Sequence, residues 1–156
     1  SLADEYGELG MLVVTQRYRV DWGHCDPAGI IFNPNYFAWM DAGCHNLFKA
    51  AGVPFKEMMD TSSFIGCPLI KNEAKFTKPA YYDDIITLSS QVESFGGKSF
   101  RLRHRFTRSD EELAIGREIR VWAYSDHADS RKIRAELVPE NIRHAVSAKR
   151  TINFTA

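Results

Sequence analysis

The 156 residues are the length of one domain, enough to bury most of its apolar surface, and 44% hydrophobic with 26% charged residues is ordinary for a soluble globular protein. Twenty basic residues balance twenty acidic ones. A net charge of zero gives no support for nucleic-acid or membrane-surface binding, though it leaves room for a local basic patch that holds a small anion.

Residues 1–10 are polar and read as a flexible arm or an artificial extension, without the basic-then-apolar pattern of a signal peptide. Residues 12–20 alternate, with Val14, Gln16, Tyr18 and Val20 on one side and Thr15, Arg17 and Arg19 on the other, as a strand does. Gly23, Pro27 and Gly29 then mark residues 21–33 as irregular. A helix follows. Asn33 is a favourable N-cap and Pro34 suits the first helical position, where its missing N–H costs nothing. Phe37, Met40, Cys44, Leu47, Phe48 and Ala51 recur at helical spacing over about 17 residues, and Gly52 and Pro54 stop the run.

Residues 55–67 read as an irregular bridge, and strands follow. Ile70, Asn72, Ala74 and Phe76 alternate up to Pro79, and Ile86, Leu88, Ser90 and Val92 up to Gly96-Gly97. Phe100, Leu102, His104 and Phe106 interleave with Arg101, Arg103 and Arg105. Further strands fall at 113–124 and around 133–138, and residues 140–148 suit a short helix. Alternation with one polar side marks an antiparallel sheet with one buried face, on which the apolar helix stripe must pack. The expectation is one α+β domain over residues 11–148 with a tail at 149–156.

Cys25, Cys44 and Cys67 are an odd number without a CxxC pair, and read as reduced thiols of a cytoplasmic protein. No apolar run approaches the roughly 18–20 residues of a membrane span. The histidines, at 24, 45, 104, 127 and 144, show no metal-ligand spacing.

The chemistry concentrates in residues 20–36, which place Asp26 in a glycine-containing loop just before a helix N-terminus. Such a terminus offers unpaired N–H groups and a positive dipole end that polarise a carbonyl, and a carboxylate aimed at that carbonyl attacks it or activates a water. Since Pro34 has no N–H, the donors must come from Asn33, Asn35 or residues 29–32. The plainer reading of Asp26 is a turn former that bonds its own backbone.

Cys25-Asp26-Pro27-Ala28-Gly29-Ile30, then Asn33-Pro34-Asn35-Tyr36 and Asp41, resemble the 4-hydroxybenzoyl-CoA thioesterase branch of the hot-dog superfamily. The resemblance runs from residue 18 to 139, through Gly66-Cys67-Pro68, Tyr82-Asp83-Asp84, Lys98-Ser99-Phe100 and Lys132-Ile133-Arg134-Ala135. It implies a long helix wrapped by a curved antiparallel sheet, and hydrolysis of an acyl-CoA thioester with neither metal nor cofactor. Asp26 matches the catalytic aspartate, as nucleophile or general base, and Asn33 the backbone N–H that polarises the carbonyl. Tyr36, Asp41 and Cys67 match substrate-binding positions around the acyl group, whereas Lys98, Ser99, Lys132 and Arg134 match those that hold the CoA phosphates. It also implies dimers, usually paired into tetramers, with active sites at the subunit interface.

Departures bear on the acyl group. His24 stands where family members carry a second acid, and Cys67 where benzoyl-specific enzymes have threonine. Gly96-Gly97 replaces a more basic pair. Asn33 differs from the histidine of the Tol-Pal-associated branch, which takes short aliphatic chains, and so favours an aromatic acyl group. Each match has a plainer reading: Asp41 as a surface carboxylate, His24 as a structural hydrogen-bonder, Lys98, Lys132 and Arg134 as a solvated face. Rival functions are a short-chain thioesterase, a hot-dog hydratase using His24, and a non-catalytic acyl-CoA-binding module.

Overall fold

The computed structural model describes residues 11–126 and 128–154; the arm at 1–10 and His127 lie outside them. Strand β1 (Val13–Arg19) leads through a 3-10 turn (Trp22–His24) to helix α1 (Pro34–Ala50) and the short helix α2 (Phe55–Thr61). There follow β2 (Phe64–Gly66), β3 (Leu69–Phe76), β4 (Ile85–Phe95), β5 (Ser99–Arg108), β6 (Glu111–Val121), β7 (Ala123–Ser125) and β8 (Ile133–Ala135). Helix α3 (Glu140–Ala145) and β9 (Thr151–Asn153) close the chain.

The large sheet has the order β3-β6-β5-β4-β1-β9, antiparallel except where β9 runs parallel to β1. Strands β2-β7-β8 form a smaller sheet. The α+β architecture expected from the sequence is present. Three local expectations differ. Residues 55–67 are not an irregular bridge but carry α2 and β2. The run at 113–124 is interrupted at Trp122, where the chain passes from the large sheet to the small one. Residues 151–153, within the expected tail, lie on β1.

Helix α1 buries Tyr36, Trp39, Met40, Cys44, Leu47 and Phe48 on the sheet, worth roughly 2 kcal/mol gross for each large apolar side chain. Two apolar clusters result. Val20, Ile31, Tyr36, Met40, Ile86 and Phe106 gather at one end of α1, and Leu12, Leu47, Phe48, Phe64, Phe100 and Trp122 at the other. The direction of α1 relative to β3 positions the site. Tyr36 meets Phe76, with ring centroids 5.0 Å apart, at the end of β3, whereas Asp41 reaches Arg120, whose register partner is Leu69 at its start. Helix and edge strand therefore run antiparallel.

Candidate active site

Asp26 sits on a closed turn. Its N–H donates to the Ile30 carbonyl (3.0 Å), and Gly29 N–H donates to the Asp26 carbonyl (2.9 Å), with Gly29 at φ +81°, where L side chains are strained. The Ala28 N–H donates to Asp26 Oδ1 at 2.8 Å, so the turn-forming role is real. It occupies one oxygen; among the described residues Oδ2 has no hydrogen-bond partner. The turn is tied down by bridges from Cys25 to Ile31 and from Ile30 to Tyr81, and by Phe32 N–H donating to the His24 carbonyl (2.8 Å).

Asn33 holds the expected N-cap position ahead of Pro34, but its backbone is already helical (φ −48°, ψ −41°) and its side chain makes no cap bond among the described residues. The cap is replaced by a tight first turn, in which Asn35 N–H donates to the Phe32 carbonyl (3.0 Å) and Tyr36 N–H to the Asn33 carbonyl (3.1 Å). Asn35 Nδ2 also donates to the His24 carbonyl (2.9 Å). With those N–H groups used and Pro34 lacking one, Asn33 carries the first-turn N–H that has no acceptor among the described residues.

Two clefts flank the Ile30–Tyr81 bridge. One, of 320 Å³, is lined by Ile30, Ile31, Asn33, Tyr36 and residues 76–80; the other, of 360 Å³, by Trp22, Cys25, Asp26, Pro27, Gly29 and Tyr82. Asp26 and Asn33 thus lie in adjacent clefts of one chain. Tyr36 is 3% exposed and packs against Trp39, Phe76 and Phe106, and burial pushes its hydroxyl pKa up. Ion pairs fix the 76–84 wall. Arg108 donates to Asp84 Oδ2 (2.7 Å) and Glu111 Oε2 (3.1 Å), and Lys78 pairs with Glu111 (2.8 Å). His24 is occupied structurally: its Nδ1 accepts from Asp21 N–H (2.9 Å) and its ring packs edge-on against Trp39.

Asp41 and Cys67 come together two turns along α1, joined by Arg120. Arg120 Nη2 donates to Asp41 Oδ1 (2.8 Å) and Nη1 to the Cys67 carbonyl (2.9 Å). Behind it, Glu118 takes Nη2 on Oε2 (2.7 Å) and His104 Nε2 on Oε1 (2.6 Å), and His104 Nδ1 meets Ser90 Oγ at 2.8 Å. Ser90, His104, Glu118 and Arg120 are all 3% exposed or less. Burial acts to raise the Glu118 pKa, but the hydrogen bonds and charge of His104 and Arg120 outweigh it and hold the carboxyl below the usual glutamate range. Burial pushes the Cys67 thiol up to about 12, the nearby Arg120 opposing, which leaves it a neutral wall rather than a nucleophile. Arg120 was not among the residues singled out from sequence. Its signal was the spacing of Glu118 and Arg120 on one face of a strand.

Lys98, Ser99, Lys132 and Arg134 gather elsewhere. The Lys98 carbonyl accepts from Trp122 N–H (3.0 Å), the Trp122 carbonyl accepts from Glu136 N–H (2.9 Å), and Arg134 pairs with Tyr124 across β7 and β8. Lys98, Ser99 and Arg134 flank the Trp122 end of β6, and Lys132, whose carbonyl accepts from Asp126 N–H (2.9 Å), lies just past β7 beyond it, whereas the Asn33 cleft meets the other end through Phe76, the partner of Ala114. Eight residues of strand put the two ends about 25 Å apart.

Residues 20–146 match the Thioesterase-like superfamily. The chain belongs to that family. It is 35% identical over 132 residues to 4-hydroxybenzoyl-CoA thioesterase of Pseudomonas sp. (strain CBS-3), spanning 81% of this chain and 92% of the relative. A solved structure of a mutant 4-hydroxybenzoyl CoA thioesterase complexed with 4-hydroxybenzoyl CoA matches with a TM-score of 0.80 at 31% identity, covering 86% of this chain and 98% of that one. A gentisyl-coenzyme A thioesterase structure matches with a TM-score of 0.71 at 31% identity, covering 85% and 98%. These likenesses establish the hot-dog fold and place this thioesterase-family chain among thioester hydrolases.

Proposed function

We propose that the chain hydrolyses an aromatic acyl-CoA thioester, of the 4-hydroxybenzoyl type, to the free acid and CoA. The carrying observation is the unpaired Asn33 N–H at the start of α1, beside a turn that leaves Asp26 Oδ2 unoccupied. The carbonyl oxygen accepts from that N–H, where the helix dipole also favours developing negative charge. Asp26 attacks the carbonyl carbon, giving an anhydride that water opens, or removes a proton from the attacking water. In either case one water is consumed and the thiol of CoA leaves.

The aromatic preference rests on the cleft beside Asn33, walled by Tyr36, Phe76, Ile30, Ile31 and Pro79. Asp41 lies eight residues along the helix from Asn33, about 12 Å by helical rise. That is the reach of a benzoyl ring with a hydrogen bond at either end. Cys67 walls the same far end.

The phosphate-binding residues reach this site from a second copy. Among the described residues, strand β3 is an unpaired edge exposing Leu69, Ile70 and Phe76 at 42%, 64% and 42%. Antiparallel pairing of two β3 edges about a two-fold axis sets the start of one beside the end of the other. It thereby brings Lys98, Ser99, Lys132 and Arg134 of the partner subunit toward Asp26 and Asn33. The cations there meet the pyrophosphate and 3′-phosphate of CoA. The working unit is a dimer, paired into a tetramer, in the cytoplasm, where free thiols persist.

Thiol release from a panel of aromatic and aliphatic acyl-CoAs tests the reading, with Asp26→Asn as control. Rapid release from an aromatic member, lost by at least about a hundredfold in the variant while CoA-ester binding persists, is expected. Near-native turnover by Asp26→Asn overturns the mechanism. Turnover of an enoyl thioester without thiol release points to the hydratase, and ester binding without any turnover to a binding module.

A further inference from the structure

We propose that Arg120 is the positioning residue for the acyl-recognising end of the site. It fixes the Asp41 carboxylate and the Cys67 carbonyl so that the enzyme prefers acyl groups with a hydrogen-bond donor opposite the thioester carbonyl. The inference rests on the reading that Asp41 and Cys67 meet the far end of the acyl group.

The Asp41 side chain is 58% exposed. An aspartate on an open helix face samples several rotamers, and a ligand that needs it must first immobilise it. Here the immobilisation is built in. The Arg120 fork ties Asp41 on α1, the Cys67 carbonyl between β2 and β3, and Glu118 on its own strand, through Nη2, Nη1 and Nε. A lysine ammonium at this position has neither the reach nor the planar fork to hold three elements at once. Arg120 engages Oδ1 of Asp41, and among the described residues the neighbour of Oδ2, His45 Nδ1, is 3.8 Å away, beyond hydrogen-bonding distance. Oδ2 therefore stays free to accept a hydroxyl hydrogen.

Burial explains why the fork stays put. Arg120 is 3% exposed and Glu118 2%, with both Glu118 oxygens engaged and His104 braced by Ser90. Buried ion pairs are often no more stabilising than well-packed apolar residues of similar volume. Stability alone gives no reason for charges here. The chain of contacts ends on the two residues expected to touch the acyl group, which gives it a function instead.

The test compares kcat/KM for 4-hydroxybenzoyl-CoA and benzoyl-CoA in the wild type, Arg120→Lys, Asp41→Asn and the double variant. Lysine keeps a positive charge opposite Glu118, and thermal melts confirm folding. Should Arg120→Lys not fold, Arg120→Met with Glu118→Gln removes both buried charges and takes its place. The preference for the hydroxylated ester should fall about tenfold or more in each single variant and no further in the double, since a charge-assisted hydrogen bond is lost once only. An unchanged preference in the Arg120 variant, or losses that multiply in the double variant, overturns the proposal. A wild type without preference that is indifferent to Asp41→Asn refutes the reading of Asp41 itself, before any Arg120 variant is made, and the proposal falls with it.

Discussion

At Gly43, on the face of α1 turned to the sheet, a Cβ would stand 2.6 Å from Ser90 Oγ and 3.3 Å from His104 Nδ1. Alanine there gains about 1 kcal/mol of helix propensity. Against this, the new methyl must displace a hydroxyl already bonded to His104 or push α1 off the sheet, and such overpacking costs about 1–3 kcal/mol. Gly43→Ala should therefore destabilise, seen as a lower denaturant midpoint with an unchanged slope. Asp26 illustrates the same closeness of structure and chemistry. One of its oxygens holds the turn and the other is available, so the turn-forming and catalytic readings of one residue describe different atoms.

Among the elements, β3 carries the greatest consequence for the proposed function, because it gives Phe76 to the Asn33 cleft and is an open edge among the described residues. Ile70 is its most exposed apolar residue. Ile70→Lys puts a charge into the proposed interface, where the start of one β3 meets the end of its partner, and should give monomers in analytical ultracentrifugation, with unchanged circular dichroism and lost turnover. An Ile70→Lys dimer with full activity removes β3 as the interface.

Period-two alternation made β1 and β3 to β6 readable, and the Asn33-Pro34 start with the Gly52 stop made α1 readable. Helix α2 and strands β2 and β9 were not, for seven and three residues are too short to establish a period. Of the candidate site, Asp26 was legible from its loop-then-helix setting, which left the N–H donor open among Asn33, Asn35 and residues 29–32; the family resemblance pointed to Asn33. The buried chain was half visible: Ser90 and His104 fall in the apolar phase of their strands, a local conflict that signals a partner. The partner lay hidden in register, because only the pairing of β4, β5 and β6 brings Ser90, His104 and Glu118 together.

For the molecule as a whole, the buried polar chain between the two apolar clusters links folding to pH. Glu118 has a folded pKa below its unfolded value of about 4.3. Between the two values the unfolded chain takes up a proton that the folded one refuses. The stabilisation is therefore complete above about pH 4.3 and is lost as pH falls through the folded value. Melting temperature should drop as pH falls below about 4.3. Glu118→Gln, though less stable at neutrality, should show a flatter acid limb in the same scan. A wild-type limb just as flat would mean that Glu118 titrates normally.

Under the proposed assembly, the 25 Å or so that separate the Asn33 cleft from Lys98 and Arg134 within one chain make each polypeptide half of two reaction centres. Turnover per chain then depends on how many chains are near each other. Dilution below the dimer dissociation constant silences the enzyme without unfolding it, and two differently damaged copies, one lacking Asp26 and one lacking the cations, still build one intact centre between them.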